Sequence, residues 1–149
     1  MNQSHLSPSE RIIEPMIALA RCSKSQRIIV AGSKSFELMF ELERRGYPHV
    51  ATAANCGRAA GQYEIALIDL RRRTAKNLVP VLDWLAYFLN PEGVVVVWGD
   101  PQKLEARESV RAVLESRGFV IEDRTLRDDG FAFAARQRAL KPNPKAACG

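Results

Sequence analysis

Residues 88–98 read FLNPEGVVVVW, and this stretch decides the fold. A strand with one face in water alternates apolar and polar residues, whereas four successive valines followed by a tryptophan leave no face for water. Such a run implies burial on both sides, as in the central strands of a parallel sheet covered by helices. Valine also suits a pleated sheet, because its branched Cβ is stiff at χ1 and packs well there. Just before the run, Leu78, Val81, Leu82, Leu85 and Leu89 recur at helical spacing, which predicts a helix over 78–90 that ends at Asn90-Pro91-Glu92-Gly93.

Reading outward toward the C-terminus, residues 104–117 place Leu104, Val110, Val113 and Leu114 on one helical face, with Gly118 at the expected C-cap. FVIEDRTL (119–126) and FAFAARQ (131–137) then flank Arg127-Asp128-Asp129-Gly130, and an Asp-Gly turn between strand-like runs predicts a hairpin with its last strand antiparallel. Toward the N-terminus, YEIALIDL (63–70) is a further buried strand. Only a short glycine-containing segment, 55–62, separates it from the strand HVATAA (49–54), too little for a full helix. Residues 27–31 form a β-branched run ending at Gly32, and Phe36 to Arg45 follow in amphipathic order up to Gly46, so strand, helix and strand make a right-handed βαβ unit. Ser7-Pro8-Ser9-Glu10 combines a capping-box spacing with proline at the first helical position. Pro15 must kink that helix or begin a second one.

The expected architecture is α/β: a three-layer, Rossmann-like, mostly parallel sheet of about six strands in the order 2-1-3-4-6-5, closed by a C-terminal antiparallel β-hairpin. Residues 1–26 form a covering helix region, 27–138 the α/β domain, and 139–149, which end in KPNPKAACG, a disordered tail. The length of 149 residues suits one domain, and 46% hydrophobic with 26% charged residues matches a globular chain. The net charge of +5 is carried by cations interleaved with acids, as in Glu41, Glu43, Arg44 and Arg45, the pattern of a solvated helix face. A nucleic-acid surface is therefore not favoured over a small-molecule or protein partner, and self-association is left open.

Cys22, Cys56 and Cys148 are widely spaced and form no zinc-ligand pattern, which points to a reducing, cytoplasmic setting. The opening MNQSHLSPSE lacks the basic start and apolar core of a signal peptide, and LVPVLDWLAYFL (78–89) is too short to span a membrane and is interrupted by Asp83.

The order of elements over residues 27–138 resembles the Rossmann-like fold of class I S-adenosylmethionine-dependent methyltransferases. RIIVAGSKS (27–35) resembles the family's first strand and cofactor loop, YEIALIDL its fourth strand, and FLNPEGVVVVW its approach to the fifth. LESRGFVIEDRTLRDDGFAFAARQR (114–138) is similar to its closing helix and strand pair. The resemblance implies S-adenosylmethionine as cofactor. It also marks departures. Of the family's glycine-rich loop only Gly32 matches, with Lys34 and Phe36 in the other two positions. Asn55 stands near the acid that would hold the ribose, and one helix-strand unit is missing between 55 and 63. The expected function is accordingly a methyltransferase-like domain acting as a non-catalytic binding or regulatory module. The alternatives are an active small-molecule methyltransferase and a nucleic-acid or anion-binding module using Lys34 and Arg71 to Arg73.

A second resemblance is to receiver domains of two-component signalling, in which YEIALIDL is similar to the strand that ends in the phospho-acceptor, here Asp69. Ser33 and Lys34 stand where the receiver acids would be, so magnesium has too few oxygen ligands for that chemistry.

In open α/β sheets ligands bind beyond the carboxyl ends of the strands. On that rule, and on the methyltransferase resemblance, the candidate cofactor-binding residues are Gly32, Ser33, Lys34, Ser35, Asn55, Asp69 and Trp98. The loop 32–35 precedes a helix, and its amides, hydroxyls and ammonium suit an anion, although the same residues also suit a plain turn and helix cap. Asp69 can orient a hydroxyl or amine, or simply pair at the surface with Arg71, Arg72 or Arg73. Trp98 can stack on a ring at the sheet edge, or fill the core. His5, His49 and Cys56 have no companions that suggest a metal or a nucleophile relay.

Overall fold

A computed structural model describes residues 8–52, 61–100 and 104–138. Its elements follow in the order α1 (Pro8–Ala20), β1 (Ile28–Gly32), α2 (Ser35–Arg44), β2 (Val50–Thr52), β3 (Tyr63–Asp69), α3 (Ala75–Phe88), β4 (Leu89–Gly99), α4 (Leu104–Ser116), β5 (Phe119–Arg127) and β6 (Gly130–Gln137). The six strands form one sheet in the order β2-β1-β3-β4-β6-β5, with β2, β1, β3 and β4 parallel and β6 antiparallel to both its neighbours. The expected Rossmann-like α/β architecture and its strand order are therefore present. Among the described residues no helix is long and apolar enough to cross a membrane.

The valine run explains why the sheet has two covered faces. Val94, Val96 and Trp98 join Ile65 and Leu67 in one core beneath α1 and α2, where Ile13, Met16, Leu38 and Leu42 close the layer. Val95 and Val97 join Ala66 and Ile68 in the other, beneath Leu78, Leu82 and Leu85 of α3 and Val110 and Leu114 of α4. Each successive residue thus feeds an opposite core, which is the period-2 geometry of a strand buried twice.

α1 continues through Pro15 as one helix, so of the two alternatives at that proline no second helix begins there. Two local details differ from expectation. Helix α3 starts at Ala75, three residues before the apolar periodicity does, because Thr74 caps it: the Thr74 amide donates to the Asn77 side chain at 3.0 Å and the Thr74 hydroxyl lies 3.3 Å from the same oxygen. Helix α3 ends at Phe88, not at Asn90, and Asn90-Pro91-Glu92-Gly93 falls within β4, where the register against β3 shifts. Tyr63 pairs with Leu89 and Ile65 with Val94, and the Glu92 amide donates to the Asn90 side chain at 2.9 Å to fold the extra residues.

The hairpin closes on Asp128 and Asp129, with Arg127 paired to Gly130 as the first residue of β6. Gly130 is required by a neighbour. A Cβ there would collide with the Trp98 ring and lie 2.5 Å from the Gly99 carbonyl oxygen, at a φ of +156°. Trp98 and the hairpin turn are thereby locked together. Replacing Gly130 with alanine must push the buried indole aside, so urea denaturation of Gly130→Ala is expected to show a loss of about 1–3 kcal/mol, as overpacking of a filled core does. An unchanged midpoint would contradict this packing.

Candidate functional site at the carboxyl rim

The carboxyl ends of β1, β3 and β4 bring most of the sequence-selected residues to one rim. Gly32 ends β1 alongside Asp69, the last residue of β3. Its φ of +105° lies in the region that favours glycine, and a Cβ would run into the Asp69 carbonyl. The loop therefore lies directly on the tip of β3. The Ser33 amide donates to the Asp69 carbonyl at 2.9 Å, and the Ser33 hydroxyl donates to the Arg71 carbonyl at 2.7 Å while accepting from Arg73 Nε at 2.9 Å.

Asp69 itself is fully buried. Its Oδ1 accepts from the Arg71 amide at 2.9 Å and from Arg71 Nε at 3.0 Å, and its Oδ2 accepts from Nη2 at 2.6 Å and from Nε at 3.0 Å. The expected surface carboxylate is thus a buried one, and both of its oxygens are spoken for. The geometry is the two-pronged fork that suits a guanidinium to a carboxylate. Arg71 Nη2 continues to the Ser9 hydroxyl at 2.9 Å, and that hydroxyl donates to Glu37 at 2.7 Å. The chain Asp69–Arg71–Ser9–Glu37 ties the tip of β3 to the first turns of α1 and α2.

The other selected residues are distributed as follows. Lys34 is the exposed N-cap residue of α2 and makes no side-chain cap hydrogen bond. Ser35 begins that helix. Phe36, in the position of a family glycine, is half exposed on its outer face. Trp98 is fully buried in the α1/α2 core, so it does not offer a ring at the rim; its carbonyl accepts from the Leu70 amide at 2.8 Å, and its indole Nε1 has no hydrogen-bond partner among the described residues. Arg72 turns outward at a φ of +61°, with its amide donating to Asp100 at 2.6 Å. Asn55, Cys56 and His5 lie outside the described residues.

Sequence reasoning missed Ser9 and Glu37, because nothing local joins residues so far apart in the chain. The apolar order of α1 and α2, which places both helix starts on one side of the sheet, was the only available hint. Among the described residues no group of three or more His, Cys, Asp or Glu could hold a metal. Burial pushes the Cys22 thiol up to about 11, so it stays protonated at neutral pH and has the character of a packing residue, not a nucleophile.

No protein-family model matches the sequence, and no curated protein sequence matches it. Solved structures do match in fold. The chain is similar to an S-adenosylmethionine-dependent O-methyltransferase from Thermotoga maritima, with a TM-score of 0.60, 11% identity and coverage of 96% of this chain and 71% of that one. It is similar to a ribosomal-protein methylase from Lactobacillus delbrueckii subsp. bulgaricus, with a TM-score of 0.59, 11% identity and coverage of 87% and 80%. An RNA methyltransferase from Salinibacter ruber, in complex with S-adenosylhomocysteine, matches at a TM-score of 0.54 and 7% identity over 93% of this chain and 98% of that one. The domain therefore has the class I methyltransferase-like, Rossmann-like fold.

The rim network makes a direct prediction. Arg71→Ala strands a buried carboxylate and is expected to cost about 3–5 kcal/mol in urea denaturation, whereas replacing both partners by Asp69→Leu with Arg71→Met is expected to recover most of that loss. A single-variant cost below about 1 kcal/mol, the range of exposed pairs, would contradict the buried geometry.

Proposed function

We propose that this chain is a methyltransferase-like domain that serves as a non-catalytic binding or regulatory module. The observation that carries the reading is the occupation of the rim by the chain's own groups. In the resembling family a glycine-rich loop leaves room for the cofactor and lets backbone amides approach it. Here the loop is sealed onto β3 through the Ser33 amide and hydroxyl, and the Asp69 carboxylate is saturated by Arg71. Of the residues that would orient a cofactor or an acceptor, Ser33 and Asp69 already have partners within the protein.

S-adenosylmethionine remains the ligand to test, because neighbours of the same fold, including the Salinibacter ruber enzyme, were crystallised with S-adenosylhomocysteine. Lys34 and Phe36 stand where the family's loop glycines would be and Asp69 is already paired with Arg71, while Asn55, near the position of the family's ribose-holding acid, lies outside the described residues. No methyl-transfer step is derived for this chain. Its partner on this reading is a small molecule or another protein in a reducing, cytoplasmic setting, with nucleic acid disfavoured by the interleaving of charges on its helices.

Isothermal calorimetry with S-adenosylmethionine tests the proposal. The expected outcome is a dissociation constant weaker than about 1 mM, equivalent to less than about 4 kcal/mol of binding, and no methyl transfer to added acceptors. Micromolar binding accompanied by measurable transfer would overturn it.

A further inference from the structure

On the face of the sheet opposite α1 and α2, helices α3 and α4 run side by side away from the same rim. Toward their C-terminal ends they are joined by large side chains, with Leu82, Leu85 and Leu114 all in one buried cluster and Trp84 and Val113 packed against it. At their N-terminal ends the facing residues are short: Ala75 and Val79 on α3, Ala106 and Val110 on α4. Short side chains cannot fill the wedge, and a cleft of about 700 Å³ opens between the two helices. Leu70 and Phe131 contribute apolar lining, and the Phe131 ring lies so close over Gly99 that a Cβ at that position would come within 2.5 Å of it. The absent side chain at Gly99 is therefore what lets the ring lie there.

The polar groups of the lining are unevenly signed. Arg73 and Lys76 stand on the α3 side and Glu105 on the α4 side. Arg73 is steadied through its Nε, which donates to Ser33 at 2.9 Å, and its terminal nitrogens make no hydrogen bond or ion pair among the described residues. Lys76 forms no ion pair among the described residues either. The Thr74 amide at the start of α3 is already taken by Asn77. An incoming anion would therefore meet side-chain cations and not the helix end.

We propose that this cleft is a binding site for a small amphipathic monoanion, a medium-chain or aromatic carboxylate whose apolar body lies against Phe131, Leu70, Val79 and Val110 while its carboxylate faces Arg73 and Lys76. The volume falls within the range of small-molecule pockets, which are mostly apolar with a few convergent polar groups. Two unpaired cations against one carboxylate select an anion over a neutral or cationic ligand. The cleft lies on the α3/α4 face of the sheet, joined to the rim through the Arg73–Ser33 hydrogen bond, and the proposal goes beyond the function proposed above.

Decanoate serves as the probe, below its self-association concentration, with decanol as its neutral counterpart and the full chain as the protein. Calorimetry is expected to give one decanoate per chain, and amide shifts in 15N spectra are expected to cluster at Leu70, Val79, Val110 and Phe131. Lys76→Glu, at an exposed position, is expected to weaken decanoate about tenfold, and decanol is expected to bind about tenfold more weakly than decanoate, the effect of one lost charge-assisted contact. Val79→Trp fills the cleft and is expected to abolish binding. Ala106→Trp fills it from the opposite helix and decides the point if the first variant loses its circular dichroism. Absent decanoate binding, equal binding of decanol, or binding unchanged in a folded cleft-filling variant would each overturn the proposal.

Discussion

The ion pair between Asp69 and Arg71 is the constraint on which the rim depends. A carboxylate at the end of a central strand, beneath the starts of two helices, has no water to solvate it, and burial of an unpaired charge is prohibitively unfavourable. Arg71 resolves this from two residues away by closing back on both oxygens. The reach of its side chain then places Nη2 at Ser9, and Ser9 at Glu37. One local solution to a desolvation problem thus fixes how α1 and α2 meet the sheet edge. Beside it, Gly32 lets β1 press against the Asp69 backbone, where a Cβ would meet the Asp69 carbonyl.

This arrangement separates fold from chemistry. The sheet order, the antiparallel β6 and the helices on both faces are those of methyltransferase-like domains. A fold of that kind supplies a rim, and what the rim does is settled by the side chains placed on it. In this chain those side chains bond mainly to one another. A cleft opens on the α3/α4 face, where small residues at the helix starts leave a wedge that the larger residues further along close.

Much of the architecture was legible because the signals were strong and local. Val94 to Val97 could only be a doubly buried strand, and Phe119 to Gln137 declared a hairpin through its two runs and its turn. Boundaries were less legible where a side chain outweighed periodicity. Thr74 and Asn77 extend α3 beyond its apolar pattern, and Asn90 folds the Asn90–Gly93 segment into a bulge where the proline and glycine signalled a stop. The turn glycine Gly130 was read as part of a hairpin signal, yet it answers chiefly to Trp98, a contact across two strands. At the rim, strand-end logic and the family resemblance put Gly32, Ser33 and Asp69 together. That Asp69 is buried, that Arg71 and not its two neighbours pairs with it, and that Ser9 completes the chain all follow from packing between elements remote in sequence.

The proposal rests on Arg71 folded onto Asp69 at the carboxyl rim, where open α/β sheets bind their ligands. A crystal structure grown with a large excess of S-adenosylhomocysteine tests this most directly. The account predicts Arg71 still bonded to both oxygens of Asp69, with no nucleoside density over Gly32 and Ser33. A nucleoside seated there, with the guanidinium swung away from the carboxylate, would contradict it.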